Sequence, residues 1–304
     1  MRKGGELLVQ RSLYHPCVSP SVFYTPGRAR GAEVAESHQD TPKAARMSRV
    51  VRILVAPFIV AHCCAALTIA GLEVPHAKLS PTSRVLDGYE WPEKFPYSKQ
   101  DLTPDWAGND QMFYTIPKLG HHAGGECRAS LTRFYECALP PSGEGDVLDL
   151  CSSFTSHFPD GWRARRCVAL GLNPLELAVN PSKTEWRVQD LNKEPTLPYD
   201  DASFDVVTNS LSVDYMTSPL ELFGEIHRVL RPGGLACMAF TNRCFPTKVV
   251  PAWRKPFTEP AHAQLVASYF RYAQGDWSEV GVADVSPDGW TGQRDPAIVV
   301  VGRK

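Results

Sequence analysis

"VLDLCSSFTSH", Val147 to His157, is the stretch on which the reading of this chain turns. Val-Leu-Asp-Leu has the make-up of a buried strand closing on an acid, the usual approach to a nucleotide-binding turn. Glycines ordinarily follow, because such a turn brings backbone close to a ligand and takes dihedrals that side chains resist. Here the residues are Cys151, Ser152 and Ser153. Two readings stand at this point: a cofactor site with altered turn chemistry, or a plain strand running into a helix capped by serine.

Working outward, the spacing of apolar residues gives further strands at Arg166–Leu172, Glu185–Leu191, Phe204–Asn209, Leu235–Phe240, Val280–Val285 and Ala297–Gly302. With Asp146–Leu150 these make seven. Helical stretches separate most of them, and one precedes them, since Leu131, Phe134, Tyr135, Ala138 and Leu139 recur at helical spacing before Pro140-Pro141. Strands alternating with helices imply an α/β domain, a mainly parallel sheet covered on both faces. The expected organisation is a targeting or linker region over residues 1–100, a helical cap segment over 101–142, and the sheet domain over 143–304.

Hydrophobic residues make up 43% and charged residues 21% of the 304, the balance of a globular chain. The net charge of −1 carries no basic excess, so no nucleic-acid partner is expected. The charge is uneven, however: residues 1–52 hold nine Lys or Arg against four acids. The run "ILVAPFIVAHCCAALTIAGL" (Ile53–Leu72) follows, 20 residues without a formal charge. A basic start, an apolar run and a small-residue exit make a targeting pattern. The length also suits a membrane anchor, and a core helix is the third alternative. Residues up to roughly 72 are thus expected to direct the chain to an organelle such as a plastid, with membrane contact confined to residues 53–72. The nine cysteines show no metal-binding spacing.

The strongest local signals lie downstream. "LPYDDASFDVVTNSLSVDYM" runs a polar turn into a strand, and "EIHRVLRPGGLACMAF" ends a helix on Pro232-Gly233-Gly234 before another strand. In this order and spacing they resemble the class I S-adenosylmethionine-dependent methyltransferases, in particular the type 11 group. The Cys-Ser-Ser turn, "NRCFPTK" and "FYTIPKLGHH" resemble a type 11-like subgroup of photosynthetic organisms.

The resemblance implies a Rossmann-like seven-stranded sheet with S-adenosylmethionine over the carboxyl ends of its first strands. It places Asp149 as the acid of the first motif, with Cys151, Ser152 and Ser153 in the turn normally built of glycines. The serine hydroxyls would then meet the cofactor's carboxylate at a helix N-terminus, where anions are favoured. The acid that normally holds the ribose is replaced by Gly171, with Asn173 as a partial substitute. Asp190 and Leu191 stand at the adenine, and Asn209 completes the cofactor set at the end of the fourth strand. Asp214 and Tyr215 follow that strand, where the architecture places the methyl acceptor, so they are the candidate catalytic pair. Arg243 and Lys248, in the acid-free run "NRCFPTKVVPAWRK", would hold an anionic small-molecule acceptor.

Each assignment has a plainer counterpart. Asp200-Asp201 resembles a metal pair but sits in a turn where aspartate is common, so no metal is expected. His121-His122 reads as a surface or pocket-rim pair, and the basic run as a solvated face. Two rival functions remain: a catalytically degenerate relative acting as an interaction protein, and a nicotinamide-dependent oxidoreductase, which lacks any GxGxxG here.

Overall fold

The computed structural model describes residues 66–106, 108, 110–288 and 295–304. A hairpin opens it, β1 (Leu67–Ile69) paired antiparallel with β2 (Leu72–Val74). Two helices follow, the short α1 (Asp110–Phe113) and α2 (Gly125–Ala138), and then the sheet begins. Its strands are β3 (Asp146–Leu150), β4 (Arg166–Gly171), β5 (Glu185–Val188), β6 (Phe204–Ser210), β7 (Leu230–Phe240), β8 (Glu279–Asp284) and β9 (Ile298–Arg303). Between them lie α3 (Pro174–Val179), α4 (Pro219–Val229), α5 (Pro251–Arg254) and α6 (Glu259–Tyr272).

The seven strands order as β5-β4-β3-β6-β7-β9-β8. β3 to β7 are mutually parallel, while β9 runs antiparallel to both β7 and β8. Strand order therefore reverses between β3 and β6, and in open α/β sheets a ligand crevice forms outside the carboxyl ends at that point.

Side-chain alternation sorts the core onto the two faces. Along β7, Leu235, Cys237 and Ala239 join Val147 and Cys167 under α2, whose Leu131, Phe134 and Tyr135 are fully buried. Ala236, Met238 and Phe240 join Leu148 and Leu170 on the other face, beneath α4 and α6. The Pro232-Gly233-Gly234 turn is a bulge inside β7, not a break before it. The register steps from Phe204↔Leu230 to Val206↔Leu235, and Gly233 takes φ +81°.

The fold begins earlier than residue 101. Residues expected to form a linker are built into it: Ile69, Ala70 and Val74 are buried, Arg303 Nε donates to the Ala70 carbonyl at 2.7 Å, and Lys78 bridges to Asp284 of β8. The chain then crosses to the opposite face, where Phe95 packs on Tyr269 and Trp91 on Tyr272. The hairpin closes the end of the charge-free run, so no single helix covers Ile53–Leu72. The rest of that run, with the basic leader, lies outside the described residues. Among the described residues no helix is long and apolar enough to cross a membrane.

Candidate functional site

A cleft of about 1170 Å³, its mouth included, opens at the carboxyl ends of β3, β4, β5 and β6. Asp149, Cys151, Ser152, Ser153, Gly171, Asn173, Asp190, Leu191 and Tyr215 all line it. Asn209, Asp214, Arg243 and Lys248 do not.

The turn after β3 answers the question posed by its sequence. Cys151 takes φ +53°, the left-handed conformation that glycine adopts freely and other residues adopt at a cost of about 1–2 kcal/mol. No helix follows. Residues 151–165 form an irregular connection to β4, so neither serine caps a helix and no helix dipole is offered to an anion there.

The connection is held by its own polar groups. Ser152 N–H donates to the Leu170 carbonyl at 2.8 Å, and its hydroxyl donates to Asp149 Oδ2 at 2.6 Å. Asn180 Nδ2 reaches Ser152 Oγ, the Ser153 carbonyl and Ser156 Oγ at 3.2, 3.0 and 2.9 Å. The two serine hydroxyls expected to meet a cofactor are thus engaged within the protein, the second with Glu176.

Asp149 is a brace beneath the turn. It is buried, accepts from Ser152 and from Thr208 Oγ1 (2.8 Å), and burial outweighs these bonds to push its carboxyl up to about 6. Asn209 lies beside it, fully buried, donating to the Leu150 carbonyl at 3.3 Å. Its amide also bonds the Cys151 thiol, which burial pushes up to about 12. Asn209 supports the turn from below and is not among the residues lining the cleft.

Gly171 has a steric reason to be glycine. A Cβ there would fall well inside 3.0 Å of the Ser152 carbonyl oxygen and within 3.2 Å of Leu177 Cδ2. Asn173 does not replace the missing acid. Its Oδ1 caps α3 by accepting from Leu175 N and Glu176 N at 2.9 and 3.2 Å. Its amide donates to the carbonyls of Tyr114 and Thr115 at 2.7 and 3.4 Å, so every hydrogen-bonding site on it is engaged.

Glu176, absent from the sequence-based candidates, also lines the cleft and is buried. It accepts from Ser153 Oγ at 2.5 Å and from Lys118 N at 2.6 Å. Three residues after an Asn N-cap, it falls at the position of a capping-box glutamate, and that plain pattern hides it.

Asp190 stands where expected, buried at the cleft wall after β5. Its Oδ1 accepts from Asn192 N at 3.2 Å, and Lys193 Nζ approaches Oδ2 at 3.1 Å without hydrogen-bond geometry.

Tyr215 and Asp214 are hydrogen-bonded to each other but differ in their access to the cleft. Tyr215 lines the cleft, and its hydroxyl accepts from Phe245 N at 2.8 Å. Asp214 is buried behind it with Oδ2 unpartnered by any hydrogen bond, and burial raises its carboxyl to about 8. Burial thus favours its protonated form, and it does not line the cleft.

Arg243 and Lys248 are not an anion site. Arg243 Nε bonds Asp295 Oδ1 at 2.7 Å, and Asp295 also accepts from Gly124 N, just before α2. Lys248 is buried, paired with Asp110, and lies over the Trp106 ring at 4.5 Å.

Another part of the cleft lining is aromatic and imidazole-rich. His121, His122, His157, Phe154 and Phe245 line it together with Lys118, whose Nζ lies 4.7 Å from the Phe113 ring centroid. Burial, aided by Lys118 and Arg128, lowers His122 and His157 to about 4, so both are neutral at physiological pH. The adjacent His121-His122 pair was legible as a rim feature; His157, joining it from the turn stretch, was not.

Residues 151–238, opening on the Cys-Ser-Ser turn itself, match the model of the methyltransferase domain family. That match takes in 88 of the 304 residues. Two curated relatives align over shorter stretches. The malonyl-[acyl-carrier protein] O-methyltransferase of a Marinomonas species is 37% identical over 57 residues, 19% of this chain and 21% of that protein. The biotin biosynthesis bifunctional protein BioHC of Teredinibacter turnerae is 35% identical over 79 residues, 26% of this chain and 13% of that protein. The matched stretches therefore span a quarter or less of those relatives.

Among solved structures, an S-adenosylmethionine-dependent methyltransferase from Mesorhizobium loti aligns with 58% of this chain and 98% of its own, at 17% identity and a TM-score of 0.39. The geranyl diphosphate C-methyltransferase of Streptomyces coelicolor aligns with 68% and 99%, at 12% identity and a TM-score of 0.41.

Proposed function

We propose that this chain transfers a methyl group from S-adenosylmethionine to a small-molecule acceptor. The observation that carries the reading is one continuous cleft at the strand-order switch. Its lining brings together the Cys151–Ser153 turn, Asp190, Tyr215, His122 and His157. A methyl donor and an acceptor held in one cleft would be aligned there, and alignment of donor and nucleophile supplies much of the rate. The neutral imidazoles are in the protonation state needed to accept a proton from an acceptor hydroxyl or amine. S-adenosylmethionine, when bound, supplies the electrophilic methyl; the residues here orient it and exclude water.

An anionic acceptor now rests on Lys118, the cation of the aromatic and imidazole-rich lining, rather than on Arg243 and Lys248. Residues preceding the hairpin are proposed to direct the chain to an organelle, and a fusion of residues 1–66 to a fluorescent protein should enter one. Calorimetry of the full chain with S-adenosylhomocysteine tests the central reading. Saturable binding, weakened about tenfold or more by Asp190→Ala as a charge-assisted hydrogen bond is lost, supports it. No binding at millimolar ligand would favour the degenerate, non-catalytic relative.

A further inference from the structure

Resting on the cofactor reading above, we propose that Glu176 is the acid that grips the vicinal hydroxyls of the cofactor's ribose. Position 171, where the chain leaves β4, cannot hold an acid, because any side chain there would collide with the Ser152 carbonyl. In sheets of this kind an acid beyond the second strand ordinarily takes that task. The function must come from another carboxylate that reaches the cleft, or be absent.

The described carboxylates that line the cleft are few. Asp149 lies under the turn, accepting from Ser152 and Thr208. Asp110 is paired with Lys248 and accepts from Asn192. Asp190 sits after β5, one strand further out. Glu176 stands on the first turn of α3, directly after β4, buried and turned into the cleft.

Its chemistry fits a diol. An ionised carboxylate offers about four acceptor sites, and Ser153 Oγ and Lys118 N occupy one on each oxygen. One site per oxygen remains, a match for two neighbouring hydroxyl donors. The existing bonds also fix the carboxylate in place, so little side-chain freedom is lost on binding. The bond to Lys118 N has a second consequence. It ties the segment carrying Lys118, His121 and His122 to the acid that holds the cofactor, so that segment is seated when the donor is.

The test compares S-adenosylhomocysteine with its 2′,3′-dideoxy form by calorimetry on the full chain. The wild type should prefer the diol by about tenfold to a hundredfold, the worth of hydrogen bonds to a charged group. Glu176→Gln should lose most of that preference while binding the dideoxy form within about threefold of wild type. Equal wild-type affinity for the two ligands overturns the proposal without any variant, should Glu176→Gln fail to fold. An equal loss for both ligands in Glu176→Gln also overturns it, leaving Glu176 as a tie for the Lys118 segment. Failure of the wild type to bind either ligand is the distinct outcome that removes the cofactor reading itself.

Discussion

Gly171 and Ser152 occupy one space: the Ser152 carbonyl oxygen lies where a side chain at 171 would begin, while Ser152 N–H bonds the neighbouring Leu170 carbonyl at 2.8 Å. The obstruction is backbone, flanked by the bonds of Asn180 Nδ2 to Ser152 Oγ and to the Ser153 carbonyl. Gly171→Ala should therefore lower stability by about 1–3 kcal/mol, the range for overpacking a filled site, and weaken cofactor binding together with it. Urea unfolding and ligand titration of the same sample check both; an unchanged midpoint would mean the turn is free to shift.

Cys151 holds a left-handed backbone that its side chain disfavours. Cys151→Gly should fall within about 1 kcal/mol of wild type, relief of strain offsetting lost packing and added chain entropy. Cys151→Val, β-branched at φ +53°, should cost distinctly more. Thermal melts of the two variants decide it, and a Val variant as stable as the Gly variant would contradict the strain.

That pair of residues also shows what the sequence could reveal. All seven sheet strands were legible, because their apolar runs alternate with helical patterns at short range. Asp190 and Tyr215 were placed at the cleft because a position at a strand's end is fixed by topology alone. Roles set by orientation were hidden. Asn173 read as a stand-in for the ribose acid, yet it caps α3, and Glu176 three residues on drew no reading at all. Arg243 and Lys248 read as free cations, since Asp295 and Asp110, their partners, lie 52 and 138 residues away. The hairpin at Leu67–Val74 was masked by the apolar run that ends in it.

Asp214 should make stability fall as pH rises. Burial raises its folded carboxyl to about 8 from the ordinary 3.8, so between those values the folded state holds a proton that the unfolded state has lost. The cost of folding grows from about pH 4 and is complete above about pH 8. Asp214→Asn, uncharged throughout, should thus gain on wild type as pH rises, with a melting-temperature difference larger at pH 8 than at pH 5. His122 and His157 act in the opposite direction, costing stability as pH falls from 6.5 toward 4, and both are common to the two proteins being compared. A difference constant across the range would mean that Asp214 stays ionised.

Lys248 should matter to folding more than to the acceptor. Its side chain is 4% exposed and that of Asp110 12%, so the pair is held largely out of water. Removing one partner leaves a buried charge uncompensated, which typically costs about 3–5 kcal/mol, whereas replacing both can be nearly neutral. Lys248→Met should therefore destabilise strongly. Adding Asp110→Asn, which keeps an acceptor for Asn192 Nδ2 (3.0 Å in the present pair), should restore much of the loss. Arg243 differs, with its side chain 38% exposed beside Asp295, and Arg243→Ala should cost about 1 kcal/mol or less. If instead either single variant folded with wild-type stability and raised the apparent KM for an acceptor, these cations would face the substrate after all. Chemical unfolding of the three variants separates the outcomes before any acceptor is known.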